Sequence, residues 1–272
     1  MKSVWVRLQK STPISCYYNE FIIIKFLNIL YNTFKNLDKE TTFELIEQTI
    51  DKYRLSCSNK NGYEYYNCQS SSGLGDYNKD RFLKLRQDFN DKKNEDYYYY
   101  IMLYVLIIYS FNNQLRFNRA GKFNLPVGKR DFNSKMEQKL SKFIDRLKSG
   151  DFTFTSKDFR NYDLDSLGEN SFIYADPPYL ITCATYNEQG GWNEQTEKDL
   201  LAFLDKANEK GIRFALSNVL RSKGKENKFL LDWLDNNKRK YKALKLDYNY
   251  ANSNYHTKDR SSEAEEVLII NY

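Results

Sequence analysis

Two adjacent prolines, Pro177 and Pro178, follow the apolar run Phe172–Ala175 with only Asp176 between. A run of that length and composition suits a buried strand. Neither proline has an N–H for a ladder, and each fixes φ, so the strand must end there. Asp176, two stiff residues and the ring of Tyr179 therefore gather at the carboxyl end of a strand. In open α/β sheets ligands bind at that end.

The surrounding sequence extends the constraint. From residue 151 onward, apolar runs of strand length alternate with amphipathic stretches. Strands are expected at 152–159, 172–175, 212–220, 244–250 and 266–272, and helices at 196–211 and 226–237. That alternation predicts an α/β sheet ending in an antiparallel pair. Upstream, Phe26, Leu27, Leu30, Phe34 and Leu37 fall at helical spacing. A second helix is expected from Thr41 or Thr42 as its cap. Residues 56–80 are polar and turn-rich and read as an exposed loop. Residues 81–111 read as helical. Residues 112–130 alternate and turn at Ala120–Gly121, which suggests a hairpin. A further helix ends at Gly150.

The trio at the strand end suits one chemistry in particular. An exocyclic amine on a planar base is a poor nucleophile, because its lone pair is delocalised into the ring. The Asp176 carboxylate can accept one amine hydrogen and the Pro177 carbonyl, stiffened by Pro178, the other. Two acceptors stabilise the positive charge that grows as the nitrogen attacks an electrophile. Tyr179 can stack on a base taken out of its duplex. The same four residues also suit a plain strand-ending turn.

Composition narrows the partners. The net charge of +6 suits a polyanion without requiring one. The four cysteines, Cys16, Cys57, Cys68 and Cys183, form no C-x-x-C pair, and His256 is the sole histidine, which argues against a zinc site. No metal is expected. No apolar run has membrane-spanning length, and no signal peptide opens the chain. The expected location is cytoplasmic, with no membrane partner.

The stretch around Asp176-Pro177-Pro178-Tyr179 resembles motif IV of the amino-methyltransferases that use S-adenosylmethionine. The wider chain, from about Tyr17 to the end, resembles the Dam-type DNA adenine methyltransferases. Ser110–Asn133 resembles their recognition hairpin, Phe152–Phe159 the strand before motif IV, and Phe214–Leu220 and Glu266–Tyr272 their later strands. The resemblance implies a Rossmann-like, S-adenosylmethionine-dependent methyltransferase sheet from residues 1–50 and 151–272. A mostly helical target-recognition region, 51–149, is inserted into it. The implied activity is methyl transfer to adenine N6 in double-stranded DNA by base flipping, within a restriction-modification system. Cytosine N4 and adenine in RNA are the rival acceptors.

It also implies roles for further residues. Asp158 and Phe159 would meet the adenine of the methyl donor; alternatively they are a helix cap beside a core ring. Glu20 would hold the donor's ribose, although the family usually has Asp there. Arg116, Asn118, Arg119, Lys122, Lys129 and Arg130, interleaved with Phe117 and Phe123, would contact DNA phosphates and bases. Tyr186 and Trp192 could reach a displaced base, or Asn193 could simply cap the next helix. Lys258 and Arg260 would meet phosphates; His256 is given no catalytic role.

The start of the chain departs from the family. No glycine precedes Gly62, whereas the family's first strand ends in F-x-G-x-G, where any Cβ would block the donor. The sheet is therefore expected to be incomplete at its N-terminal edge and the isolated chain to bind S-adenosylmethionine weakly. A truncated copy is the favoured explanation. One half of a split enzyme, completed by an N-terminal fragment, and a non-catalytic DNA-binding remnant are the alternatives.

Overall fold

A computed structural model describes residues 3–6, 16–68, 71–118, 120–168, 170–181, 192–246 and 264–272; for 3–6 and 16–24 the description is of the backbone. The chain divides into two compact units, Met1–Glu20 with Lys157–Tyr272, and Phe21–Ser156. Residues 21–50 thus group with the helices that follow them.

The first unit is built on a mixed sheet. Strands β1 (Ser3–Val6), β2 (Phe172–Ala175), β3 (Arg213–Ser222), β4 (Lys225–Glu226), β5 (Lys242–Lys245) and β6 (Glu265–Ile270) lie in the order β1-β2-β3-β6-β5, with β4 paired to β3. β1, β2 and β3 are parallel; β6 runs antiparallel to both β3 and β5. The expected antiparallel pair is present. One expectation fails at the other edge: Ser3–Val6 pairs with β2, where the sequence pattern gives no strand.

β2 is short because Asp176 and the two prolines follow it, and β3 is long because seven of its residues in succession are buried. Both fit strands enclosed by neighbours. Helix α7 (Glu194–Glu209) covers the sheet with Leu200, Leu201 and Leu204, and α8 (Lys228–Asn236) with Leu230 and Trp233. Full burial of each such side chain contributes about 1.5–3 kcal/mol. Asn193 caps α7, its side chain accepting from the Thr196 N–H, and Asn227 caps α8 in the same way through Leu230.

The second unit is helical. Helix α1 (Cys16–Asn36) is continuous, and its residues from Phe21 onward belong to this unit. Helix α2 (Lys39–Lys52) starts earlier than expected, because Asp38 accepts from the N–H groups of Glu40 and Thr41 and is the better cap. The stretch 81–111, expected to be helical, is carried by two helices, α4 (Gly75–Asp91) and α5 (Tyr97–Tyr109), with Asp96 capping the latter. α5 is buried along nearly its whole length. α6 (Ser134–Ser149) ends at Gly150 as expected.

The described residues of 56–80 are largely exposed, as expected, but they are not loop throughout. They include the short helix α3 (Ser58–Asn61), a turn of 3₁₀ helix at Glu64–Tyr66 and the start of α4. The buried polar groups among them are bonded inside the protein. Ser56 pairs twice with Asn78, Tyr109 donates to the Ser56 carbonyl, and the buried carboxylate of Asp131 accepts from Ser58. Residues 152–158, expected as a strand, have no ladder. Phe152 and Phe154 instead pack on the helical core, and Lys35 Nζ donates to the Phe152 carbonyl at 2.8 Å.

The predicted turn at 118–122 forms, with Gly121 at φ +71°. Asn118 N–H donates to the Lys122 carbonyl, and Phe117 faces Phe123 in an antiparallel bridge. Both rings are sealed in the core, Phe117 stacking on Phe26 at 4.6 Å. At the base of this turnback Gly128 N–H donates to the Tyr109 carbonyl, and a Cβ on Gly128 would sit 2.3 Å from the Ser110 carbonyl oxygen. Gly128→Ala is therefore expected to destabilise the helical unit by about 1–3 kcal/mol, the usual range for overpacking. Urea denaturation followed by circular dichroism checks it; an unchanged midpoint would show that the backbone yields there.

Candidate active site

The parallel register of β2 and β3 pairs Ala175 with Leu216. One residue further on, Ser217 comes level with Asp176. The Ser217 hydroxyl donates to Asp176 Oδ1 at 2.7 Å, and the Tyr179 hydroxyl approaches the same oxygen at 3.4 Å. Asp176 is half-buried and joins no ion pair with a described residue. Pro177, Pro178 and Tyr179 are buried, the tyrosine to 6% exposure.

This arrangement gives the two oxygens of Asp176 different tasks. Oδ1 is fixed by neighbours. Among the described residues no donor reaches Oδ2 or the carbonyl of Pro177. Two acceptors of fixed orientation, one anionic and one neutral, thus stand at the carboxyl end of β2. Sequence reasoning misses Ser217 as a site residue. Its only signal is a hydroxyl within the apolar run Phe214–Leu220, and the strand register needed to interpret it is not written in the sequence.

A second polar cluster lies behind the sheet. Glu197, in the first turn of α7, is wholly buried. It accepts from the Trp192 indole N–H at 2.6 Å and from the side-chain amides of Asn218 and Asn227 at 3.0 and 2.9 Å. Burial pushes its carboxyl up, and the three donors oppose that shift. Trp192 is 3% exposed and packs near Phe159, so it is a core residue and not one that reaches a displaced base. Tyr186 lies outside the described residues.

Asp158 caps the 3₁₀ turn Phe159–Asn161, and Arg160 binds both its oxygens at 2.9 and 2.7 Å. That guanidinium holds the Asp158 carboxyl below its ordinary range. Phe159 is buried against Phe203 and Trp192. The side chain of Glu20 lies outside the described residues, its backbone being in α1.

On the hairpin, Arg116 is exposed but binds Asn124 through Nε and Nη2. Asn118 commits its side-chain oxygen to the turn, accepting from the N–H groups of Ala120 and Lys122. Lys122 sits 3.7 Å from Asp91. Lys129 and Arg130 are exposed. Arg119, His256, Lys258 and Arg260 lie outside the described residues. Among those described, no three His, Cys, Asp or Glu side chains cluster as metal ligands, and no helix is long and apolar enough to cross a membrane.

Residues 14–252 match the family model of the D12 class N6 adenine-specific DNA methyltransferases. The modification methylase StsI of Streptococcus sanguinis is 42% identical over 206 residues, which is 74% of this chain and 30% of that protein. The type II methyltransferase M.FokI of Planomicrobium okeanokoites is 37% identical over 247 residues, 89% of this chain and 34% of its own length. A DNA adenine methylase of Vibrio cholerae is 31% identical over 148 residues, about half of each chain. The chain thus spans about a third of the first two relatives. A match over most of its length, which takes in the strand-end Asp-Pro-Pro-Tyr, makes this chain a member of the D12 class of N6 adenine-specific DNA methyltransferases.

Proposed function

We propose that this chain grips and presents adenine for N6 methylation in duplex DNA. The observation that carries the reading is the Asp176 corner, where Ser217 fixes Oδ1 and leaves Oδ2 and the Pro177 carbonyl as paired acceptors. Oδ2 takes one amine hydrogen and the Pro177 carbonyl the other. The nitrogen is drawn toward tetrahedral geometry, and the charge that develops on it is met by fixed acceptors. Pro178 keeps that carbonyl in place, and Tyr179 backs the extruded base. Arg116, Asn118, Arg119, Lys122, Lys129 and Arg130 contact the duplex.

Methyltransferases of this family use S-adenosylmethionine, which supplies a methyl group on a sulfonium centre. The donor side is the less furnished half here. Asp158 is already held by Arg160, and Phe159 is enclosed in the core. Glu20 is the proposed ribose ligand. The engaged state of Asp158 and Phe159 favours a second reading, in which the chain binds DNA and transfers methyl groups only when a complementing donor segment joins it.

The test is tritiated methyl transfer to duplex DNA by the purified chain, alone and fused to the glycine-rich donor segment of a relative. Digestion and mass spectrometry identify the product. The expected result is N6-methyladenine from the fusion and little product from the chain alone. Methylated cytosine would overturn the assignment of the base. Salt-dependent DNA binding with no transfer by the fusion would reduce the chain to a non-catalytic binder.

A further inference from the structure

We propose that helix α6 is a second duplex-DNA surface, on which Lys135, Lys139, Lys142 and Arg146 follow the phosphates of one strand. This rests on the reading that the chain acts on duplex DNA. It lies outside the hairpin and adds a separate set of side chains.

At about 100° per residue, these four positions fall within a stripe about 60° wide. All four are exposed. The buried residues Leu140, Ile144 and Leu147 point away, into the helical core. The two acidic residues of α6 lie off the stripe, and Asp145 is already held by Lys39 at 2.8 Å.

Some cations of this unit are tied to carboxylates, while others, such as Lys79 and Lys93, have none among the described residues. Lys39, Lys60, Lys84 and Lys92 each have a carboxylate within 3.1 Å. Among the described residues, no carboxylate pairs with Lys135, Lys139, Lys142 or Arg146; Arg146 lies over the Phe152 ring at 5.4 Å. Exposed cations without local partners are the ones that can replace condensed counterions on DNA.

The dimensions agree. The stripe runs about 16 Å along the helix, a length over which one strand of B-DNA carries about five phosphates. It also begins five residues after Arg130; Lys129 and Arg130 are exposed and lie on the segment leading from the hairpin into the Asn133 cap. Basic side chains thus continue from the proposed reading element onto a rigid helix. A helix suits backbone tracking, since phosphate contacts set position and carry no sequence information.

The experiment is fluorescence anisotropy of a labelled duplex of arbitrary sequence, titrated with the full chain between about 50 and 200 mM salt. Lys139→Gln with Lys142→Gln is expected to make the slope of log K against log salt shallower by about 1.8, or about 0.9 for each phosphate no longer neutralised. Lys139→Arg with Lys142→Arg is expected to keep the slope of the unmodified chain. Lys60→Gln with Lys84→Gln removes the same charge from paired positions and is expected to leave the slope unchanged. An unchanged slope in the stripe variant overturns the proposal. So does an equal loss in the paired-position control, an effect confined to phosphatidylserine-containing vesicles, or no duplex binding by the unmodified chain. An unchanged slope alongside N6 methylation by the donor-supplied fusion removes the stripe and leaves the proposed function standing; a shallower slope without methylation does the reverse.

Discussion

Asp176→Ala is expected to lower methyl transfer by the donor-supplied chain by about 10²–10³-fold, the range seen when one preorganised polar group is deleted from a charge-stabilising site. Oδ2 is one of the two acceptors that the described residues leave open at the corner, and it is the anionic one. Loss of the carboxylate leaves the Pro177 carbonyl alone to meet the charge that grows on nitrogen. Duplex affinity is expected to change little, because it is set by cations and phosphates. Ser217→Ala gives the graded comparison. It keeps the carboxylate and removes the 2.7 Å hydrogen bond that orients it, so a loss of about tenfold is expected, equivalent to about 1.4 kcal/mol of the barrier. Transfer rates measured at saturating DNA, with affinity from anisotropy, separate the effects. Full transfer by Asp176→Ala would end the two-acceptor account, and loss of DNA binding in parallel would recast Asp176 as a structural residue.

The corner is legible in the sequence because its features are local. Two prolines end a strand whatever lies around them, and the residues they immobilise are their chain neighbours. What escapes is long-range. Ser217 stands 41 positions from Asp176, and only the Ala175–Leu216 register brings them level. Residues 152–158 illustrate the converse. Phe152 and Phe154 alternate as a strand would, yet a strand needs a ladder partner, and these rings pack on the helical core instead.

Polarity is what misleads at residues 56–80. Ser and Asn there suggest exposure, but Ser56 and Asn78 are buried and bonded to each other, and Ser56 reaches the buried Asp131 outside the segment. Burial costs such groups little when every donor and acceptor finds a partner. Composition records the groups and not their pairing. Asp158 and Asn118 show the same limit at the candidate site. Each reads as a ligand from its chemistry, while its side chain is engaged in a local cap or turn that the chain also spells out.

Glu197 reads from sequence only as part of an amphipathic helix, yet it carries the largest expected effect on stability. Glu197→Ala removes the common acceptor of three buried donors, the Trp192 indole and the amides of Asn218 and Asn227. An orphaned buried donor costs about 1–3 kcal/mol, so a loss of about 3 kcal/mol is expected. That is a large share of the roughly 5–15 kcal/mol typical of a domain. All three tryptophans, Trp5, Trp192 and Trp233, lie in the sheet-bearing unit, so tryptophan fluorescence in urea follows that unit by itself. The effect should also depend on pH, with a definite sign. Burial pushes the Glu197 carboxyl above its ordinary range, so the folded protein holds a proton at pH values where the unfolded chain has released it. The group's contribution is greatest below the unfolded carboxyl value of about 4.3 and declines as pH rises through the raised folded value. The stability gap between the unmodified chain and Glu197→Ala should accordingly be widest in acid and narrow toward neutrality. A gap that widens as pH rises would mean that the three donors outweigh burial and hold Glu197 as a stable anion.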